Sequence, residues 1–365
     1  MKTKHFLKLL ICFGIIALYF ASCSNKNFRM ITNIDKNGSF QRTIFTEAES
    51  AFIDGDMSAN PFLFDIDSCW QFIDIKTYGA DNEWGMGKTK KVQFGINRKF
   101  QSFDEFNNLK FKEKMQPVAN PEEIFNKKFK WFFTYYSFST VYRQIFEVLP
   151  VPLENYLTEN EQKSYLQGDL SNFKGWTGYE IHSEFEETGK KFAKFYHHNF
   201  YEFSFNAILH TVQNKNFMYA SQMQEIKDSL FNLNWSNDGR HLVEHFYDID
   251  DVIDMLDTFF KTSEFNDFYE KYDDDINSEY SNLSFDLNIF FIKIDYELIL
   301  PGEIIETNAP IISGDTLKWK VDAYRILPSD FVITAQSRTA NIWAFVVTFL
   351  LAAIAIYCLI TVRKN

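Results

Sequence analysis

His241-Leu242-Val243-Glu244-His245 is the sharpest chemical pattern in this chain. It matches H-x-x-E-H, the inverted zinc-protease arrangement, in which two histidines at i and i+4 hold zinc and the glutamate acts as general base. At about 100° per residue on a helix, His241, Glu244 and His245 fall on one flank, and Asp248 joins them. A His-His-Asp metal site is therefore open to the same flank. The competing reading is structural. This flank borders the apolar stripe of its own helix, which leaves half-exposed histidines among acidic neighbours. Three fixed positions in five arise often by chance, and no third ligand stands out among the acids downstream. His241, Glu244 and His245 remain candidates, and no metal is assigned.

Other constellations carry less chemistry. His197, His198 and His210 lie in the aromatic stretch KKFAKFYHHNFYEFSFNAILH. On one continuous helix His198 and His210 share a face but stand about 18 Å apart, too far to share an ion. Packing or interface roles fit them better. Asp273, Asp275 and Asn277 resemble the opening of a calcium loop, but Ser278 stands where glycine is needed and Ser284 where the bidentate glutamate belongs. Residues 244–279 hold thirteen acidic side chains against Lys261 and Lys271, a net of −11. This reads as a solvated helix face or a surface for a basic partner. No G-x-S-x-G elbow is present, and the glycines of GADNEWGMGK lack the spacing of a phosphate loop. No catalytic residue and no cofactor are assigned.

The elements that must position these residues change character along the chain. FRMITNIDKNGSFQRTIFTE reads as two strands around Asn37-Gly38, the commonest tight-hairpin signal. Strand-like runs follow at Trp70 to Tyr78 and Lys90 to Ile96. FKWFFTYYSFSTVY, residues 129–142, alternates with period two and reads as one aromatic strand. After Pro150 and Pro152 helices take over. Thr158 and Glu161 form a capping-box start, and longer helices are expected over 178–213, 218–232 and 239–272. From about 284 strands return, punctuated by Pro301-Gly302 and Ser313-Gly314-Asp315. The expected fold is α+β: an antiparallel sheet drawn from both ends, with a helical block inserted and a C-terminal membrane helix following. The divisions are 1–22 leader, 23–151 β-rich, 152–283 helical insertion, 284–341 β-rich, 342–362 membrane helix and 363–365 tail.

The two termini say where the chain works. Residues 342–362, IWAFVVTFLLAAIAIYCLITV, are uncharged and apolar, and as a helix they span roughly 30 Å, the thickness of a bilayer core. Trp343 and Tyr357 stand near the two interfaces, and Arg363 and Lys364 hold the short tail in the cytoplasm. At the other end Lys2, Lys4 and Lys8 precede the apolar run Leu9 to Phe20, the pattern of an export signal. Removing the +3 of the leader and the +2 of the tail from the chain's −12 leaves −17 on the exported part. Nucleic acid and anionic lipid surfaces do not suit that part as a whole. Cys69 is its one cysteine besides Cys23, so no intramolecular disulfide is expected. The 41 Phe of the whole chain point to an aromatic core rather than to a sugar-binding face.

Ala21-Ser22-Cys23 resembles the lipobox of bacterial lipoproteins, which implies diacylation of Cys23, with Phe20 in place of the usual leucine. Leu300-Pro301-Gly302, Thr307-Asn308, Gly314-Asp315 and Lys318-Trp319 ahead of a spanning helix, with the Asn37-Gly38 hairpin near Cys23, are similar to LppM-type bacterial lipoproteins. The resemblance covers the two ends of the exported region. It implies an exported β-rich domain and, for some members, lipid or glycolipid binding; it carries over no catalytic residue. The resulting expectation is a cytoplasmic-membrane lipoprotein with its bulk on the extracytoplasmic side, binding a lipid, an envelope component or a protein. A tethered metallopeptidase using His241, Glu244 and His245, and a subunit of an envelope complex, are the alternatives.

Overall fold

A computed structural model describes residues 26–73, 92–109, 111, 121–145, 149–237 and 247–364. The fold is mixed α+β and divides into two compact units. One is β-rich and discontinuous in sequence, combining the part up to Gln144 with Phe290 onward; the other, Ile145–Ile289, is helical.

In the β-rich unit, β1 (Lys26–Ile34) and β2 (Phe40–Ala48) form the hairpin signalled by Asn37-Gly38. Gly38 adopts φ +94°, which a side chain would resist, and Asn37 Oδ1 accepts the Ser39 backbone N–H at 3.1 Å. β3 (Gln71–Ile73) and β4 (Val92–Phe100) extend this sheet on the β2 side. On the other side β1 runs parallel to β7 (Ile292–Ile299), from Lys26↔Ile292 to Asn33↔Ile299. Beyond β7 come β10 (Thr316–Asp322) and β9 (Ile311–Ser313), giving the order β3-β4-β2-β1-β7-β10-β9.

A second, antiparallel sheet has the order β5-β6-β11-β8, from β5 (Glu122–Lys130), β6 (Phe133–Tyr142), β8 (Glu303–Thr307) and β11 (Phe331–Ala340). The β residues expected in one sheet are thus shared between two, and each sheet joins strands from both ends of the chain. The expected strand 129–142 is also broken, because Trp131 and Phe132 make the turn between β5 and β6. Beyond the turn the alternation holds: Thr134, Tyr136, Phe138, Thr140 and Tyr142 are buried and their neighbours are not.

Pro301-Gly302 carries the chain from β7 in the first sheet to β8 in the second. Gly302 sits at φ +91°, and a Cβ there would overlap the Arg338 carbonyl oxygen of β11, so only glycine fits. Aromatic rings fill the space between the sheets. Phe40 stacks on Phe103 at 4.2 Å, Phe103 meets Phe138 at 5.6 Å, and Phe138 stacks on Tyr296 at 6.3 Å. Within this apolar filling, Arg42 of β2 donates two hydrogen bonds to Glu123 of β5, at 3.1 and 2.8 Å.

The helical unit contains α1 (Gly178–Asn214), α2 (Ala220–Asn237), α3 (Ile249–Phe260) and α4 (Glu264–Leu283). α1 starts on a capping box made by Thr177 and Glu180, and the box at Thr158 and Glu161 opens a shorter helical segment. Phe205, Ile208 and Val212 of α1 pack with Leu230 of α2, Ile253 and Leu256 of α3, and Ile276 of α4. The helix expected over 239–272 is corrected here, because Lys261 takes the left-handed φ of +54° and ends α3.

Asp257 then starts the next helix. Its carboxylate accepts the Phe265 N–H at 3.0 Å, the Asn266 N–H at 3.1 Å and the Asn266 side-chain amide at 2.7 Å. Asp257→Ala should lose about 1–2 kcal/mol, as for other lost caps, with Asp257→Asn keeping part of it. Thermal unfolding and hydrogen exchange over residues 262–270 measure this. An unchanged exchange rate in the alanine variant would remove the capping role.

Candidate functional site

His241, Glu244 and His245 lie outside the described residues, as do Cys23 and the leader, residues 1–22. Asp248, which joined that flank in the sequence, is the N-cap of α3 and accepts the Asp251 N–H at 3.0 Å. The calcium-like residues Asp273, Asp275 and Asn277 sit inside α4 rather than in a loop, and Asp275 pairs with Lys215 at 2.6 Å. His210 is bonded to Glu279 at 2.8 Å. Because α1 is continuous from Gly178 to Asn214, His198 and His210 stay apart as the spacing predicted.

His198 instead finds partners that the sequence did not suggest. Glu202 is one turn further along α1, and Asp228 approaches from α2, bringing one ligand atom from each residue within 4.8 Å of the others. The His198 ring stacks on Phe231 at 4.1 Å with a 10° tilt, and its Nδ1 lies 2.8 Å from the Tyr156 hydroxyl. Nε2 is buried without a hydrogen-bond partner, 3.7 Å from Glu202 Oε1. Burial lowers the His198 pKa to about 4; Asp228 opposes the shift while Lys227 and Lys194 add to it. Burial likewise pushes Tyr156 up to about 12.

A neutral imidazole with two carboxylates is a ligand set suited to a divalent transition metal. The fourth member of the cluster argues against an open site. Lys227 Nζ lies 2.5 Å from Glu202 Oε2 and 3.1 Å from Asn206 Oδ1, so an ammonium already neutralises the buried carboxylate. A metal ion would have to work against that charge. The arrangement is a self-neutralised polar network closed by a stacked histidine. Its one legible trace in sequence is the i, i+4 pair His198 and Glu202, because Asp228 and Lys227 arrive only through tertiary packing.

The second candidate site, within the β-rich unit, is where β11 passes into a long apolar helix. α5 (Ile342–Lys364) contains a 20-residue apolar stretch, Ile342–Thr361, long and apolar enough to cross a membrane and almost wholly exposed. Asn341, just before it, clamps the helix to the β5–β6 turn. Its side-chain amide donates to the carbonyls of Lys130 at 2.9 Å and Trp131 at 3.2 Å, and its backbone N–H donates to Phe132 O at 2.8 Å. Thr134 Oγ1 donates to Asn341 Oδ1 at 2.9 Å. Rings extend the contact: Phe129 lies parallel to Trp343 at 6.2 Å, Trp131 meets Trp343 edge-on at 5.2 Å, and Phe132 meets Phe345 at 4.7 Å.

Comparison with known protein families, characterised proteins and solved structures finds no match to this chain.

Proposed function

We propose that this chain is a membrane-anchored bacterial lipoprotein whose exported domain binds a lipid, an envelope component or a protein partner rather than transforming a substrate. The observation that carries the reading is α5, whose Ile342–Thr361 stretch is apolar on every side, almost wholly exposed, and fixed to a folded sheet by the residue before it, Asn341. An exposed surface of that size needs a nonaqueous partner, and its length suits a bilayer. Acylated Cys23, three residues before β1, would be the second tether. Lys227–Glu202 and Lys215–Asp275 are ion pairs within the helical unit, which commits these groups to holding the fold and supports a binding role.

Protease added to intact spheroplasts should digest residues 24–341 and leave a membrane-embedded fragment containing α5. Cys23→Ser should abolish palmitate labelling without releasing the chain. An exported part that stays intact until the membrane is dissolved would overturn the placement.

A further inference from the structure

We propose that the β5–β6 hairpin is itself a membrane contact, seating Trp131 and Phe132 in the headgroup region beside α5, with Lys127, Lys128 and Lys130 facing phospholipid phosphates. The proposal rests on the reading of α5 as a membrane span and names the hairpin's partner as the same bilayer.

Turn chemistry is the first argument. The register closes at Lys130↔Phe133, leaving a two-residue connection of Trp131 and Phe132. Such connections favour Asn, Asp or Gly with positive φ. Among the described residues only Asn216 and Lys261 combine a side chain with positive φ, so this turn gains nothing from its residue types. Two large rings nevertheless stand at the tip, Trp131 45% exposed and Phe132 38%. A local rule is broken where a partner outside the fold would make sense of it.

Depth is the second argument. Trp131 Nε1–H donates to Thr348 Oγ1 at 2.8 Å. Thr348 lies six residues past Ile342, about 9 Å down the helix axis. If the first two turns of α5 stood above the membrane, only Phe349 to Val362 would remain to cross it. That is about 21 Å, short of the roughly 30 Å core. The span must therefore include the turns that the hairpin touches, and the tip descends with them. Tryptophan is the residue enriched at that level.

Charge is the third. Residues 126–135 contain Lys127, Lys128 and Lys130 and no acidic side chain, in a chain of net charge −12. All three lysines are exposed. The acidic character of the exported part as a whole thus reverses at the hairpin that packs on α5, where headgroups would favour cations.

The test uses the full chain in phosphatidylcholine vesicles with and without brominated acyl chains, which quench nearby tryptophan. Trp131→Phe should remove an emission component that bromine quenches roughly two-fold or more, with shallow bromines more effective than deep ones. If Trp131→Phe leaves the quenched fraction unchanged while Trp343→Phe lowers it, the helix is in the bilayer and the hairpin is not, and the proposal fails alone. If neither variant changes the quenching, the reading of α5 fails and takes the hairpin with it. In vesicles containing phosphatidylglycerol, the native hairpin should be quenched further. Converting Lys127, Lys128 and Lys130 together to Gln should abolish that increment, and an unchanged increment would remove the lysines from the contact.

Discussion

Replacing Glu123 by alanine should cost the β-rich unit about 3–5 kcal/mol, because it strands a buried guanidinium. Both side chains of the Arg42–Glu123 pair are fully buried, and the two hydrogen bonds are bidentate. The Arg42 guanidinium carbon lies 4.1 Å from the Phe106 ring centre and 5.3 Å from that of Phe40, and these rings cannot replace the hydrogen bonds of the carboxylate. Burial disfavours the charge on Arg42, yet Glu123, together with Tyr296 and Tyr142, outweighs this and holds the pKa above its ordinary value. Arg42 Nε, Thr140 Oγ1 and Tyr142 OH already lack hydrogen-bond partners, which leaves the network little capacity to absorb another loss.

The loss should lower the midpoint of thermal unfolding by roughly 6–20 °C for a unit of this size. The charge-free pair Arg42→Met with Glu123→Leu provides the contrast. Removing both charges leaves no orphan, so the double variant should be more stable than Glu123→Ala. A native midpoint in Glu123→Ala would show that the pair does not bridge the sheets in a dry interior.

How much of this could be read beforehand depends on the distance over which each signal acts. The β1–β2 hairpin was legible because Asn37-Gly38 acts locally, and the inward row of β6 because alternation is local too. Arg42 occupies an inward position of β2, in line with Phe40 and Ile44, but a strand pattern cannot say that Glu123 will meet it from 81 residues away. The Trp131–Phe132 turn was hidden because aromatic residues continue a strand by every local criterion. The α3–α4 break was hidden because Lys261 in the left-handed region and Asp257 as a remote cap leave the apolar spacing intact. The α5 helix was legible because an apolar run of that length needs no partner to be recognised. The His198 cluster needed α2 folded against α1 before it existed.

That cluster supplies the second large expected effect, acid sensitivity of the helical unit. An unfolded histidine titrates near 6.5, whereas His198 in the fold titrates at about 4. The unfolded chain therefore binds the extra proton first as pH falls. Stability from the neutral ring is fully present above about 6.5 and drains away between about 6.5 and 4, reaching about 3 kcal/mol. Burial against Phe231 is the main cause, and the facing groups set the balance: Lys227 and Lys194 oppose protonation while Asp228 favours it. Tyr156 and Glu202 complete the contacts of the ring.

His198→Phe keeps a ring against Phe231 but cannot titrate. Circular-dichroism melts at pH 7 and pH 4.5 should therefore show a native midpoint falling further than the variant's, by roughly 5–10 °C. Carboxylates elsewhere titrate in both proteins and cancel in the comparison. Parallel falls in the two proteins would mean that His198 is solvated and ordinary, and the closed network of Tyr156, His198, Glu202 and Lys227 would lose its physical basis.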